Sequence, residues 1–277
     1  MKLIADSGSS KTDWMVYDGG MILNRFTTTG INPCVLDDEQ IKRTLVEEFM
    51  PQVQGWSFNQ IDFYGAGCKL PFSNKISDAL REVTACENIM VESDMLGAAR
   101  MCSAGSAGIV CILGTGSNSC LFDGEQIVSQ TPSLGYILGD EGSGGALGKR
   151  LLNYVFKGAL PEDILHSFMQ KYQLKIEDVI LKVYREERPN KFLATFTYFL
   201  KENIEKKEIK SLVEEEFNLF ITRNILPYGR KDLPIHFVGS VAYHFQEILK
   251  IVVEKNGMKL GKIESHPLDC FCIQMNS

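Results

Sequence analysis

The chain has 277 residues, which exceeds the usual size of one domain and predicts two lobes of about 100–150 residues each. Hydrophobic residues make up 44% and charged residues 23%, a balance typical of globular proteins rather than disordered or membrane proteins. The apolar runs are too short to cross a bilayer, and the N-terminal segment reaches Asp6 too early for a signal peptide. We therefore expect a cytoplasmic protein without a membrane partner. The net charge of −6 argues against a nucleic-acid partner, which needs a cationic face.

Cysteine and histidine spacing bears on metals and redox state. The eight cysteines are scattered without a CxxC pair, so reduced thiols are expected. The four histidines show no helical pairing with one another or with a cysteine pair, which argues against zinc.

The first hundred residues predict a lobe of alternating strands and helices. Three short apolar runs joined by small-residue turns predict an opening β-meander at 2–5, 13–17 and 21–23. A helix is predicted from about Asp38 to Phe49, with Asp37 or Asp38 as its cap. The remaining predicted elements are a strand at 61–64, a helix at 71–83 and a strand at 89–91. This alternation favours a partly parallel, covered sheet.

A second meander begins near Gly105. Its strands are predicted at 109–113, 117–122 and 126–128, and they repeat the order of strands and turns of the first meander. Residues 145–228 are predicted to be largely helical, and their charged runs, including 202–210 and 214–216, are interpreted as solvated helix faces. A strand at 235–238 is followed by a helix from Val241.

The first turn of each meander has the composition of a phosphate-binding loop. Residues 6–13, Asp-Ser-Gly-Ser-Ser-Lys-Thr-Asp, allow backbone N–H groups to approach phosphate oxygens, and Asp6 can hold Mg²⁺ through water. Taken alone, the segment can equally be an ordinary polar hairpin turn. Gly114-Thr115-Gly116 has the same chemistry at the equivalent point, and two such turns would grip a triphosphate from both sides.

Two other nucleotide motifs are excluded by their residues. Gly148-Lys149-Arg150 resembles the end of a Walker loop, but Ser143 stands at its first glycine and Arg150 at its hydroxyl position. No GxGxxG segment follows a predicted strand, so a Rossmann dinucleotide site is not supported.

Asp94 lies where a strand ends and a helix begins. The helix dipole favours an ionised carboxylate there, and as an isolated residue Asp94 can simply be a helix cap. The small residues Gly97-Ala98-Ala99 that follow suit close packing against another helix, as in a hinge between lobes.

Five segments in order along the chain resemble the BadF/BadG/BcrA/BcrD ATPase family. They are residues 6–12, 92–99, 112–118, 139–144 and 237–241. Within the family the chain most resembles the N-acetylglucosamine kinase branch of the sugar kinase/Hsp70/actin superfamily. The resemblance implies an α/β fold of two ribonuclease-H-like (actin-like ATPase) lobes, with ATP and Mg²⁺ in a cleft between them. The expected lobes are 1–106 and 107–277, the second with a helical insertion at about 145–230 and with its last residues able to return to the first lobe.

The resemblance also assigns roles to residues. It makes Asp6, Gly8, Ser9, Ser10, Lys11 and Thr12 the first phosphate loop, with Asp6 for the metal, Gly114, Thr115 and Gly116 the second loop, and Gly239 and Ser240 the adenosine segment. Asp94 matches the general base, and Asn32 and Asp140 match positions that contact the sugar. Without the family, Asn32 can be a turn residue, Asp140 a helix cap, and Gly239 part of a tight strand-to-helix turn.

The leading hypothesis is a kinase that transfers the γ-phosphoryl group of ATP to the 6-hydroxyl of an amino sugar. N-acetylglucosamine, glucosamine and related sugars all stay open, and we allow for a homodimer. A second hypothesis is an ATPase activator of a dehydratase, although no suitable cysteine for its iron–sulfur cluster follows the 139–145 loop. A third is a nucleotide or sugar sensor without turnover. Residues 267–277 support it, because they lack the glycine and the amphipathic pattern of the family's final helix.

Overall fold

The structure is a computed structural model that describes residues 1–8 and 10–270. Ser9, predicted to belong to the first phosphate loop, and the atypical end of the chain at 271–277 lie outside the described residues. Within the described part, no helix is both long and apolar enough to cross a membrane. By its own contacts the chain divides into two compact units. Residues 1–105 and 267–270 belong to the first unit, and residues 106–266 form the second.

The first unit is built on a mixed five-stranded sheet. Its strands are β1 (Lys2–Ser7), β2 (Lys11–Asp18), β3 (Met21–Thr29), β4 (Gln60–Gly65) and β5 (Ile89–Ser93), in the order β3-β2-β1-β4-β5. The first three strands are antiparallel neighbours, whereas β4 and β5 add in parallel beside β1. The helices are α1 (Asp38–Thr44), α2 (Ser73–Thr84) and α3 (Asp94–Ser103), and α1 continues as a π-helical turn at Leu45–Phe49.

Aromatic packing and a helix cap explain parts of this unit. Trp14 is fully buried against Phe49 and Phe63, with ring centroids 4.6 and 5.7 Å away. Its indole N–H donates to the Thr28 hydroxyl at 2.9 Å, so burying the ring leaves no unmet polar group. Asp37 caps α1 by accepting the N–H of Gln40 at 2.8 Å, which settles the choice between the two aspartates.

The second unit repeats the topology of the first. Its strands are β6 (Gly108–Leu113), β7 (Ser117–Phe122), β8 (Ile127–Ser129), β9 (Pro234–Val238) and β10 (Lys259–Glu264), in the order β10-β9-β6-β7-β8. Again the first three strands are antiparallel and the last two add in parallel beside the first. The two meanders predicted from sequence are therefore the starts of two sheets with the same strand order.

Helices fill the interval between β8 and β9 and follow β9. They are α4 (Gly135–Leu138), α5 (Gly144–Phe156), α6 (Glu162–Tyr172), α7 (Ile176–Tyr184), α8 (Pro189–Ala194), α9 (Thr197–Glu202), α10 (Lys207–Phe220), α11 (Ser240–His244) and α12 (Gln246–Lys255). The prediction of a largely helical segment at 145–228 is confirmed. In the core of this segment, the ring of Phe168 packs against those of Phe196 and Phe199, with ring centroids 5.7 and 5.2 Å apart.

The prediction that the charged runs are solvated helix faces is wrong at one position. Glu216 is only 6% exposed, although its neighbour Glu215 has a side chain that is 52% exposed. The reason is helical spacing, because Glu216 falls on the buried stripe of α10 between Val213 and Phe217.

Gly148 has a packing role instead of the rejected Walker role. A Cβ at residue 148 would lie 1.8 Å from the carbonyl oxygen of Leu193, so α5 and α8 approach each other backbone to backbone at this point.

We expect Gly148→Ala to lower the free energy of unfolding by about 1–3 kcal/mol or more, because the added methyl group must push α8 away. Asn153→Ala, at an exposed position on the same helix, serves as the control and should be near neutral. Chemical unfolding of both variants measures the difference. Equal stabilities for the two variants would contradict the close approach.

Candidate functional site

The first turn, between β1 and β2, is a tight hairpin backed by another stretch of backbone. The Gly8 N–H donates to the Lys11 carbonyl at 2.9 Å. A Cβ at Gly30 would lie 2.4 Å from the Gly8 carbonyl oxygen and 2.7 Å from the Lys11 nitrogen. Residue 30 must therefore be glycine for the chain to pass behind this turn. Sequence reasoning did not assign Gly30 a role.

Two buried hydroxyls fasten this turn from within. The hydroxyls of Ser7 and Thr12 are 2.6 Å apart, and the Ser7 oxygen also accepts the Ile31 N–H at 3.0 Å. The Thr12 hydroxyl donates to the Thr29 carbonyl at 3.3 Å. Both side chains are fully buried, so Thr12 shapes the loop through these bonds. The Lys11 ammonium forms an ion pair with Asp13 at 2.7 Å.

Asp6 and Asp94 lie at the same edge of the first sheet. Ser7 pairs with Gly65, and Gly65 pairs with Ser93, so β1, β4 and β5 end level with one another. Asp94 follows β5 directly and is the first residue of α3. The carboxyl ends of parallel strands are where α/β proteins gather their functional groups.

The interpretation of Asp94 as the helix cap is wrong. Ser93 is the N-cap of α3, and its hydroxyl accepts the Leu96 N–H at 3.3 Å. Asp94 instead accepts the N–H of the next residue, Met95, at 2.8 Å through Oδ1. Its carboxyl group is thus held at the helix start without serving as the cap.

The pKa values of Asp6 and Asp94, two acids of this edge, are both raised. Burial raises the pKa of Asp6 to about 8, and the nearby carboxyls of Asp94 and Asp13 push it in the same direction against Lys11. Burial likewise raises the pKa of Asp94, opposed by the Met95 N–H and by Lys69. A free carboxylate at Asp6 is therefore unfavourable, and a cation bound there would relieve it.

This electrostatic pattern is compatible with a hydrated magnesium ion. No group of three or more histidine, cysteine, aspartate or glutamate side chains that could hold a metal occurs among the described residues. Mg²⁺ needs no such cage, because it keeps most of its waters and takes one or two carboxylates together with substrate phosphates. Asp6 fits that pattern.

Asn32 lies in a turn of the first unit. Its Oδ1 accepts the Cys34 N–H at 3.0 Å, and its carbonyl accepts the N–H groups of Val35 and Leu36. Gly67 packs against it, since a Cβ there would lie 2.3 Å from Asn32 Oδ1. The turn interpretation is thus confirmed, and the predicted contact with a sugar stays a prediction.

The second turn, between β6 and β7, is braced by the start of α5. The Gly114 N–H donates to Gly116 at 3.0 Å, and the carbonyls of Gly114 and Thr115 accept the N–H groups of Gly144 and Gly145 at 2.8 and 3.0 Å. Among residues 1–8 and 10–270, the N–H groups of Thr115 and Gly116 have no hydrogen-bond partner. The turn thus offers donors at a rigid site, which suits an anion.

Gly239 meets this turn from the neighbouring strand. It follows β9, which runs parallel to β6, and its φ of +117° is a conformation that side-chain-bearing residues rarely adopt. A Cβ there would lie 2.3 Å from the Leu113 carbonyl oxygen. Ser240 is exposed and opens α11. The predicted adenosine segment and second phosphate turn therefore meet within one unit.

Asp140 lies beside the same turn. Its Oδ1 accepts the Ser117 N–H at 3.3 Å, and a Cβ at Gly116 would lie 2.9 Å from its Oδ2. Burial raises the pKa of Asp140, while the Ser117 N–H lowers it. Ser143, not Asp140, caps α5 by accepting the Ala146 N–H at 3.1 Å, so the cap interpretation of Asp140 is wrong.

Asp140 also lines a cavity of about 260 Å³. Hydroxyl and amide side chains form part of its wall, namely those of Ser117, Asn118, Thr131, Ser133 and Asn224. Sequence reasoning assigned none of these residues a ligand. The one sequence signal for this cavity was Asn118, a polar residue directly after the Gly-Thr-Gly-Ser turn.

The duplicated sheets and the turns at their strand ends define an actin-like ATPase or sugar-kinase fold. The chain is 44% identical to the "Putative N-acetylglucosamine Kinase" from Porphyromonas gingivalis, with a TM-score of 0.96 over 100% of this chain and 99% of that one. It matches the "Putative N-acetylglucosamine Kinase" from Chromobacterium violaceum with a TM-score of 0.77 at 12% identity, over 99% and 98%. It matches a ROK family glucokinase from Streptomyces griseus, in complex with glucose and AMPPNP, with a TM-score of 0.56 at 13% identity, over 99% and 97%.

No protein-family model and no curated protein sequence matches the chain. The structural matches below 25% identity show only a shared fold, whereas 44% identity over the full chain shows that the two proteins belong to one family. The chain belongs to the BadF/BadG/BcrA/BcrD ATPase family, in its N-acetylglucosamine kinase-like branch.

The raised pKa of Asp6 predicts a pH-dependent stability. In the unfolded chain Asp6 ionises near 3.8, but in the folded protein near 8, so the folded state binds more protons between these values. The contribution of Asp6 to stability therefore falls as pH rises from about 4 to 8. Asp6→Asn should remove this loss. In the presence of a chelator, the melting temperature of the variant relative to that of the wild type should therefore rise between pH 6 and pH 9. About 1 kcal/mol corresponds to roughly 2–4 °C in domains of 150–250 residues.

Calorimetry of both proteins at matched ionic strength measures this gain. The other titrating groups are shared by the two proteins and cancel in the difference. A difference in melting temperature that stays constant from pH 6 to pH 9 would show that the Asp6 carboxyl is not perturbed.

Proposed function

We propose that the protein is an ATP-dependent kinase that phosphorylates a hydroxyl of an amino sugar, N-acetylglucosamine or a related hexosamine. The observation that carries the proposal is the second turn, whose carbonyls are bound by α5 while two N–H groups stay available to a ligand. The names of the relatives from Porphyromonas gingivalis and Chromobacterium violaceum support the substrate class.

In this proposal each turn offers backbone N–H donors to phosphate groups of ATP. The donors are those of Ser10 in the first turn and of Thr115 and Gly116 in the second, whereas the Gly8 N–H is held by the Lys11 carbonyl. Gly239 and Ser240 receive the adenosine. The glucokinase that was solved with AMPPNP shares the fold, which supports nucleotide use by this fold.

Asp6 would hold Mg²⁺, which neutralises phosphate charge when it is bound. The raised pKa of Asp6 supports this role, because the burial and neighbouring carboxyls that raise it also favour a cation. Lys11 is paired with Asp13 at 2.7 Å and is therefore held close to the same turn.

Asp94 would act as the general base. It accepts the proton of the attacking sugar hydroxyl as the new O–P bond forms and the bond from the γ-phosphorus to the bridging oxygen breaks, which leaves ADP. Its raised pKa makes it a stronger base than an exposed aspartate, and the Met95 N–H holds one of its oxygens in place. Asn32 and Asp140 would bind the other hydroxyls of the sugar, since a carboxylate accepts and an amide both donates and accepts.

The dehydratase-activator hypothesis finds no support in the second unit. Cys111 and Cys120 are both buried there, on β6 and β7, and burial raises both thiol pKa values, that of Cys120 to about 12. A cluster at a dimer interface needs cysteines at the surface, so these buried residues are unsuited to it. A sensor without turnover is separated from a kinase by the assay below.

Asp94→Asn should lower kcat by roughly 10²–10⁴-fold, because the amide cannot accept the hydroxyl proton. Binding of the sugar and of Mg·AMPPNP should stay close to that of the wild type. A coupled ADP-release assay across free hexoses and amino sugars measures turnover and also identifies the substrate.

Ser93→Ala is the matched control for Asp94→Asn. It removes the hydroxyl that caps α3 and costs about 1 kcal/mol of stability, yet it keeps the carboxylate, so turnover should persist. Near-wild-type turnover in Asp94→Asn would rule out the base, and equal losses in both variants would point to the helix start instead.

Gly114→Ala tests the phosphate turn without a packing change. A Cβ at residue 114 would meet no atom within 4 Å, so the methyl group has room in the free protein. If ATP phosphates approach this backbone, the methyl group should weaken Mg·ATP binding about tenfold or more at an unchanged melting temperature. Calorimetric titration measures the affinity, and unchanged binding would mean that the phosphates do not contact this turn.

A further inference from the structure

A buried carboxylate that the proposed chemistry does not use lies next to the Asp140 loop. Glu216 belongs to α10, on a stripe whose other members are apolar: Ile209, Leu212, Val213, Phe217 and Phe220. It is 6% exposed, and it lines a cavity of about 470 Å³ between α4, α5 and α10. An acid at such a position is costly to bury unless its oxygens are satisfied, so its partners explain its presence.

Glu216 has two partners, one on each oxygen. Oε1 accepts the backbone N–H of Gly142 at 3.2 Å, and Oε2 lies 3.3 Å from Nη1 of Arg150. Arg150 also binds the exposed Glu215 through Nη2. Arg150 is a residue of α5, the helix whose first N–H groups hold the Gly114-Thr115 turn. Glu216 therefore joins α10, α5 and the 139–142 loop.

The loop that Glu216 holds has an unfavourable backbone. Asp140 has φ +58° and Gly142 has φ +73°, both in the left-handed region. This conformation costs a non-glycine residue on the order of 1 kcal/mol or more, so neighbouring contacts must impose it at Asp140. A Cβ at Gly142 would lie 2.9 Å from Cβ of Phe220, so the loop lies directly on α10.

A second set of contacts fixes the loop at Glu141, the residue directly after Asp140. The Glu141 carboxylate accepts from Arg223 at 3.0 Å and from Asn224 at 3.3 Å. These residues follow α10, so one continuous stretch of helix binds both Glu141 and Gly142. Asp140 is thereby set with its carboxylate on the Ser117 N–H.

We propose that Glu216 is a positioning residue for the sugar site: by holding the Gly142 N–H it fixes the left-handed backbone of Asp140 and aims its carboxylate at the 260 Å³ cavity. The role in ligand binding rests on the proposed function, whereas the role in holding the loop does not. The charged run at 214–216 thus contains one buried residue that binds the Asp140 loop, directly beside the exposed Glu215.

Hydrogen exchange tests the loop without any ligand. Glu216→Ala should accelerate amide exchange in a peptide covering 139–144, because the adjoining cavity lets water replace the lost carboxylate. Glu216→Gln should exchange like the wild type, since its amide oxygen still accepts the Gly142 N–H. Glu215→Gln, which loses only the exposed partner of Arg150, is the matched control and should also be unchanged. Wild-type exchange in Glu216→Ala would overturn the proposal.

Sugar binding tests the consequence. The probes are N-acetylglucosamine, glucosamine and N-acetylmannosamine. We expect Glu216→Ala to raise KM for the preferred sugar about tenfold or more, with a smaller change in kcat. Glu216→Gln should rescue KM to within about threefold, and Glu215→Gln should match the wild type. A loss of overall stability alone would not produce this split or this rescue.

A double-mutant cycle tests whether Glu216 acts on sugar binding through Asp140. If Glu216 acts through Asp140, adding Glu216→Ala to Asp140→Ala should weaken sugar binding no further. Additive losses, or an effect of Asp140→Ala without any effect of Glu216→Ala, would overturn the positioning role. If no probe binds even to the wild type, the proposed function is wrong, and the exchange result alone decides whether Glu216 holds the loop.

Discussion

Contact between backbones, without intervening side chains, is the constraint on which the candidate phosphate turn of each unit depends. At residue 30 a Cβ would lie 2.4 Å from the Gly8 carbonyl oxygen, and at residue 239 a Cβ would lie 2.3 Å from that of Leu113. Each glycine lets a second segment pass directly behind or beside a turn at the end of a first strand. The turns can then be narrow and rigid, and rigid N–H groups are what an anion site requires.

The two sheets share a topology, but their turns differ in charge. The first turn lies among Asp6, Asp13 and Asp94, and burial together with the two neighbouring carboxyls raises the pKa of Asp6 to about 8. An anion would be repelled there unless a cation accompanied it. The second turn depends instead on α5, whose first N–H groups bind its carbonyls at 2.8 and 3.0 Å. The proposed use of Mg²⁺ with the nucleotide agrees with this asymmetry.

Charged residues in the helical segment do more than face solvent. A carboxylate on the buried stripe of α10 binds a backbone N–H of the loop that carries Asp140, and Arg150 completes its pairing. Such a buried acid stabilises little by itself, because its desolvation offsets its attraction to the arginine. Its physical effect lies in geometry, since it offers an acceptor at one fixed point.

Local patterns in the sequence determined most of the secondary structure. Alternating apolar runs and small-residue turns predicted both meanders, and β7 occupies the predicted residues 117–122, because strand and turn preferences act over a few neighbouring residues. The helical segment predicted from residue 145 begins with α5 at Gly144. The family resemblance rested on the same short segments, and the 44% identical relative bears it out.

Tertiary structure decided what these segments contact. Asp94 and Asp140 each looked like a helix cap, but neighbouring serines at 93 and 143 take that role, since the cap depends on backbone angles that the sequence leaves open. Gly30 and Gly148 had no local signal for the 2.4 and 1.8 Å approaches that require them. Glu216 stood in a run of identical acids, and only the packing of α10 against a loop more than seventy residues away separates it from them. Contacts between residues distant in sequence carry no local pattern, so the fold alone reveals them.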